Sequence, residues 1–369
     1  MKAATFVLAR LAGVILVSMA ALCGLAAPSL AQPAQTAIQG LEFPFVTLRN
    51  RTGASDPAEA YGSERSDPKA GTCGVAARDL GVLSPLADAT PTFLREELLR
   101  VQSVQEREVD AVLDALEQTA GPRGPVLYVH GYYIGFDKGC RRATLLQQNA
   151  GLARRFLWFS WPSDGAVAYY THDEADLYWS LPDLADTIIE LERRFGPAAV
   201  DVIGHSMGAR GVALALAEVA YRQPGIRLGH VVLLAPDMDF GIFARLLPRI
   251  RPIAQSMTVY VAGTDRPLAL SAQIHGYPRL GEAGNDVSGL TGVEVIDLSD
   301  LPQEEPTGHL YHIYSRPVGD DLRRLLEADM PADARPGLVA SGSNLWRLQP
   351  GAGAGAGTAA GSVDDKLDD

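Results

Sequence analysis

The chain has 369 residues, 47% of them hydrophobic and 21% charged, which is enough apolar material for a sizeable core and rules out wholesale disorder. The formal net charge is −12 and no run of Lys/Arg extends beyond a pair, so the concentrated basic face that nucleic-acid binding requires is missing.

The first segment, "MKAATFVLARLAGVILVSMAALCGLAAPSLAQ", carries Lys2 and Arg10, then an apolar stretch to about Ala27, then Ser29-Leu30-Ala31. A charged start, a hydrophobic middle and small residues at −3 and −1 describe a secretory signal peptide over 1–31, cut after Ala31. The chain is therefore expected in the periplasm or outside the cell; left uncleaved, the same segment would anchor it in a membrane, its only expected membrane contact. Leu22 stands before Cys23 where lipidation needs a small residue, so the segment is not read as a lipoprotein signal. Cys73 and Cys140 remain after the cut, and in an oxidising compartment they form a candidate disulfide closing a loop of almost seventy residues. Two buried free thiols are the alternative.

Residues 32–42 read as a linker and "FPFVTLRN" (43–50) as a first strand. The Gly, Ser, Asp and Pro of 51–72 predict a loop, followed by a short strand at 73–77. Apolar residues at helical spacing predict a helix over 90–119, broken near Ser103.

From Pro125 onward, short apolar runs recur at 125–130, 156–161, 199–204, 230–235, 257–262 and 293–298, with amphipathic stretches at 140–154, 174–195, 206–222 and 240–250 between most of them. Strands that are apolar throughout and alternate with helices predict an α/β domain over 43–336, one mostly parallel sheet with helices on both faces. A last helix fits 318–329. Residues 337–369 turn Gly/Ala-rich and then acidic, with no period, and are read as a disordered tail.

Gly204-His205-Ser206-Met207-Gly208 falls between the run 199–204 and the helix 206–222, where a parallel sheet presents ligands at its carboxyl edge. In a G-x-S-x-G strand-to-helix turn the flanking positions have no room for side chains, and the serine is strained with its hydroxyl presented as a nucleophile. The helix start adds free N–H groups, so the Met207 amide is a candidate oxyanion donor. The loop "VHGYY" (129–133) offers the second donor, the Tyr132 amide.

A serine hydroxyl needs a base and an acid to orient it, in the order Ser, Asp or Glu, His. Asp265 lies directly past the run 257–262, and Asp237, past the preceding one, is the alternative acid. For the base, "TGHLYH" (307–312) supplies His309, which sits in a loop after Gly308, and His312, the alternative, which begins a packed segment. The aromatic and acidic stretch 161–179 is expected to line the acyl pocket, form a lid or simply pack on the sheet. No spacing marks a metal site and no G-x-G-x-x-G follows a first βαβ strand, so no cofactor is expected.

"FVTLRNR" (45–51), "VHGYY" (129–133), "FSWPSDG" (159–165), "GHSMG" (204–208), "APDMD" (235–239) and "GHLYH" (308–312) together resemble the alpha/beta hydrolase superfamily. More narrowly they are similar to a bacterial subgroup of unknown function with the segments V-T-x-R, V-H-G-Y-N, F-x-W-P-S-x-G, G-H-S-M-G, A-P-D and a late G-H. The resemblance spans roughly 43–328 and implies a Ser206/Asp265/His309 triad with esterase-like activity on a small-molecule ester. Tyr133 departs from it, since the subgroup carries Asn there. A binding or scaffolding protein of the cell envelope on the same fold is the alternative function, because a fold does not by itself define a reaction.

Overall fold

The computed structural model describes residues 41–78, 91–152 and 155–350. The signal segment 1–31 lies outside them, as does the linker apart from Leu41 and Glu42, which already belong to the first strand.

The sheet is built around six parallel strands: β4 (Val126–Val129), β5 (Phe156–Ser160), β6 (Asp201–His205), β7 (Leu228–Leu234), β8 (Ala254–Val261) and β9 (Val293–Asp297). Their side chains alternate between two cores. Leu127, Val129, Leu157, Phe159, Val202, Val231, Leu233, Met257 and Val259 point to one face. Val126, Tyr128, Phe156, Trp158, Ile203, Val232, Leu234 and Tyr260 point to the other. Both faces are covered, which is why these strands read as unbroken apolar runs rather than as alternation.

Helices α1 (Val109–Ala120), α3 (Tyr170–Phe195), α4 (Met207–Arg222) and α5 (Phe240–Ile250) supply Leu113, Leu184, Leu216 and Phe243 to the first core. Helices α2 (Phe136–Ala150), α7 (Tyr311–Tyr314) and α8 (Arg316–Ala328) cover the second with Leu146, Ile313 and Leu322; α6 (Arg266–His275) adds Leu268. Among these helices, none is long and apolar enough to cross a membrane.

The sheet is wider than expected. β1 (Leu41–Arg51) pairs parallel with β5 and antiparallel with β2 (Tyr61–Ala77), which pairs antiparallel with β3 (Leu99–Arg107). The loop expected over 51–72 is therefore largely strand. Its polar residues face solvent along a ribbon, and Pro68 sits where the register shifts between the Thr47–Lys69 and Arg49–Arg65 pairs, the kind of irregularity at which a strand tolerates proline.

The helix expected over 90–119 is three elements: a 3₁₀ segment Thr92–Leu98, β3, and α1. Leu99 and Val101 are buried while Arg100 and Gln102 are exposed, so a period of two operates where the apolar spacing suggested helix.

At the other edge, the tail expected to be disordered from residue 337 instead forms β10 (Leu338–Ala340) and β11 (Leu345–Leu348). β11 extends the sheet parallel to β9, and Leu348 is fully buried. The Gly/Ser turn between the two strands disguises a hairpin as linker. Residues 351–369 of the expected tail lie outside the described residues.

Cys73 of β2 and Cys140 of α2 are joined as a disulfide with their Cα atoms 6.5 Å apart. The bridge ties the N-terminal ribbon to helix α2 over the second core, and the chain-entropy relation assigns a loop of 67 residues about 4 kcal/mol.

The C-terminal hairpin yields a stability prediction. Leu348→Ala should lower the unfolding free energy by about 2–4 kcal/mol, because a buried leucine is truncated in a packed layer. Urea denaturation measures it; an unchanged midpoint would mean the hairpin contributes nothing.

Candidate active site

Ser206 occupies the turn between β6 and α4 with φ 54° and ψ −122°, a backbone conformation that L residues avoid. The turn is held by its main chain: Ser206 N–H donates to the Leu234 carbonyl at 2.9 Å, and the Ser206 carbonyl accepts from Asp237 N at 3.1 Å. A Cβ on Gly204 would stand 2.5 Å from Ala209 Cα, and one on Gly208 only 2.1 Å from the His130 carbonyl oxygen. These close approaches are the physical content of the G-x-S-x-G spacing.

The same packing brings the loop after β4 against the serine, since a Cβ on Gly131 would lie 2.9 Å from Ser206 Cβ. The amides of Tyr133 and Ile134 are bound, to Asp173 Oδ2 and Ser163 Oγ, each at 3.0 Å. The Tyr132 and Met207 amides have no hydrogen-bond partner among the described residues. Two N–H groups without partners therefore lie in the two segments that meet at the serine.

Tyr133 has φ 66°, in the left-handed region. Asparagine enters that region more easily than tyrosine. Here Lys138 Nζ lies 3.6 Å from the centroid of the Tyr133 ring.

His309 Nδ1 stands 2.7 Å from Asp265 Oδ2. The other oxygen of Asp265 caps α6 by accepting from Leu268 N at 3.0 Å, so the carboxylate is held from two sides. Because Nδ1–H donates to Asp265, Nε2 is left as the basic nitrogen. Burial opposes charge on His309, but the Asp265 carboxylate outweighs it and raises the imidazole above its ordinary 6.5. The Ser206 hydroxyl makes no hydrogen bond among the described residues. The structure thus pairs the imidazole with a carboxylate and leaves the hydroxyl unengaged.

Glu305 was not anticipated from sequence. Its carboxylate accepts from the amides of Thr307, His309 and Leu310 at 2.6–3.1 Å, pinning the turn that carries His309. A glutamate ahead of Thr-Gly-His was the available signal.

Asp237 does not meet the imidazole of His309. It is buried in an ionic network, paired with Arg279 at 2.8 Å and Arg210 at 3.2 Å, with Ser271 and Tyr170 donating to it. His312 is buried against His205, ring centroids 4.0 Å apart, and burial pushes both rings well below the ordinary histidine value. His205 donates from Nε2 to the His309 carbonyl at 3.2 Å. The stretch 161–179 begins α3, and its Tyr170 packs edge-on against Tyr132 at 5.1 Å.

Asp164, His172 and Asp173 bring potential ligand atoms within 4.8 Å of one another, a grouping that sequence spacing did not mark. All three positions already have work: His172 pairs with Asp164, and Asp173 accepts from Tyr133, Ser163 and Asp164.

The architecture and the serine turn define an alpha/beta hydrolase fold. A family model described as "Alpha/beta hydrolase of unknown function (DUF900)" matches residues 109–326, more than half of the chain, and the chain belongs to that family. Similar solved structures include a predicted CIB-like hydrolase from Thermoplasma acidophilum, at 16% identity, covering 57% of this chain and 87% of that one, TM-score 0.34. A putative cell surface hydrolase from Lactobacillus plantarum shows 14% identity over 57% and 95%, TM-score 0.37. A Pyrobaculum calidifontis esterase shows 14% over 56% and 75%, TM-score 0.32. The chain matches no curated protein sequence.

The two aspartates are separable by experiment. Asp237→Ala should cost about 3–5 kcal/mol of stability by leaving two buried arginines short of a partner. Chemical denaturation is the measurement, and a loss below 1 kcal/mol would show that the network does not carry that weight.

Proposed function

We propose that this protein is a serine hydrolase acting on carboxylic esters. Ser206 Oγ attacks the ester carbonyl, and His309 Nε2 takes the hydroxyl proton. The new C–O bond leaves negative charge on the former carbonyl oxygen, between the Met207 and Tyr132 amides. That intermediate collapses as the alcohol departs with the proton from His309. A water then attacks the acyl-serine by the same route, giving the acid and free Ser206. Asp265 holds the imidazole tautomer and stabilises its charged form.

The observation that carries this reading is the 2.7 Å His309–Asp265 contact beside a serine held at positive φ. Esters are preferred over amides because the superfamily the sequence resembles leans that way. We further propose that the protein works in the periplasm or outside the cell, a reading that rests on the N-terminal residues and is favoured by the Cys73–Cys140 bridge.

Hydrolysis of p-nitrophenyl esters from acetate to palmitate, by residues 32–369 and by Ser206→Ala, tests the proposal. The variant should lose at least about 10⁴-fold in kcat. Activity equal in both proteins would exclude Ser206 as nucleophile. No activity in either, with no fluorophosphonate labelling of Ser206, would favour the binding-protein alternative.

The base has its own signature. Only neutral His309 accepts the proton, so kcat/KM should rise with pH through an apparent pKa above 6.5, the direction in which Asp265 shifts it. Asp265→Asn should move that limb to lower pH, since burial then acts unopposed by the carboxylate, and should reduce kcat by about 10³–10⁴-fold. A limb unmoved by the substitution would assign the base elsewhere.

A further inference from the structure

The family match begins at residue 109, after the ribbon β1–β3, yet one side chain of that ribbon reaches the candidate active site. Arg49 of β1 is fully buried, and its guanidinium meets backbone and hydroxyl oxygens from three directions. Nε donates to Ser160 Oγ at 2.9 Å; Nη1 donates to the carbonyls of Ser163 at 2.9 Å and Gly62 at 3.1 Å; Nη2 donates to the Ile134 carbonyl at 2.6 Å. Ile134 lies in the loop after β4, and Ser163 in the loop after β5. One rigid fork therefore fastens two loops to each other, a task for which the planar five-donor guanidinium is suited and an ammonium is not.

From the fork the ties continue inward. Ser163 Oγ accepts from Ile134 N–H and donates to Asp173 Oδ2. The same carboxylate oxygen accepts from Tyr133 N–H, while Asp173 Oδ1 accepts from Asp164 N–H at 2.8 Å. Asp173 is itself fully buried. The consequence falls on the residue between: with the Tyr133 and Ile134 amides and the Ile134 carbonyl all committed, the turn is held in its left-handed conformation at Tyr133, and Tyr132 N–H is left without a partner among the described residues, next to the Gly131 that packs against Ser206.

We infer that Arg49, Ser163 and Asp173 are positioning residues for the oxyanion donor Tyr132, and that the N-terminal ribbon is thereby a working part of the active site. The assignment rests on the serine-hydrolase reading. It also gives the V-T-x-R and W-P-S segments a common physical purpose, the orientation of one amide. A loop free to rotate that amide loses a donor made useful only when charge develops on the substrate oxygen, so the loss should appear in kcat and leave substrate binding alone.

The test uses residues 32–369 with Asp173→Asn, Ser163→Ala and Arg49→Lys, each checked for native near-UV circular dichroism. Leu348→Ala serves as a destabilised control remote from the site. For the first two variants, kcat on a p-nitrophenyl ester should fall by about 10- to 1000-fold with KM within threefold. The affinity for an alkyl boronic acid, whose tetrahedral adduct mimics the oxyanion intermediate, should fall by the same factor. Arg49→Lys should resemble them if it folds, while Leu348→Ala keeps its kcat. Folded Asp173→Asn and Ser163→Ala proteins with kcat within threefold of the parent would overturn the inference. So would equal losses of kcat in Leu348→Ala, which would trace the effect to stability alone. If the parent neither hydrolyses esters nor is labelled at Ser206 by a fluorophosphonate, the hydrolase reading itself falls and takes this assignment with it.

Discussion

The active-site end of this molecule depends on one steric constraint, the approach of the first turn of α4 to the end of β4. Gly208 lies so close to the His130 carbonyl that a Cβ would stand 2.1 Å from its oxygen. That proximity places the helix start against the loop after β4 and brings Gly131 beside Ser206. A parallel sheet makes the arrangement available, because every strand ends on the same edge and each following loop starts there. His130 stays neutral in this packing: burial, reinforced by the nearby Arg49 charge, lowers its pKa to about 3, and its ring stacks on Trp161 at 5.0 Å. It acts as a packed wall whose carbonyl is further fixed by Trp161 Nε1–H at 2.8 Å.

Legibility in the sequence followed burial. The strands covered on both faces, 126–129 through 293–297, were readable because they are short apolar runs and most are followed by an amphipathic stretch. The edges were not. β2 carries Lys69, Asp67 and Pro68 because one side of the ribbon faces solvent, and β10 and β11 flank a Ser-Gly-Ser turn that imitates a linker. β3 was masked by spacing: Leu98 and Val101 sit three apart as on a helix, whereas the structure uses the alternation from Leu99. Motif and chain order offered Ser206, Asp265 and His309 as candidates, and the structure pairs the last two at 2.7 Å. Glu305 and Arg49 could not be assigned roles, because their roles lie in the backbone groups they bind, and a sequence does not display which carbonyl an arginine will find.

Electrostatics then distinguishes among candidates that composition cannot separate. Three histidines crowd the serine end, with ring centroids of His205 only 4.6 Å from His309 and 4.0 Å from His312. Burial drives His205 and His312 neutral, and each neighbouring imidazole adds to the cost of charging another. His309 alone of the three has a carboxylate on its ring, and its pKa alone moves upward. A carboxylate placed elsewhere in this cluster would raise a different imidazole. The aspartates divide similarly. Asp237 faces two buried arginines and spends its charge on them, while Asp265 faces an imidazole that can gain and lose a proton.

The division has a consequence for how the site is organised. The buried arginines pair with acids other than Asp265, whose partner is an imidazole. Arg210 and Arg279 serve Asp237, and Arg49 lies among Asp164, Asp173 and Asp176 while fastening the loops at the carboxyl edge. Burial lowers the Arg49 pKa to about 10, still far above neutral pH, so it remains a fixed cation. Fixed charges thus hold the surrounding loops, while His309 pairs with Asp265. The groups that hold the loops and the imidazole that pairs with Asp265 belong to separate sets of residues, the first a fixed cation and the second a ring raised above its ordinary pKa.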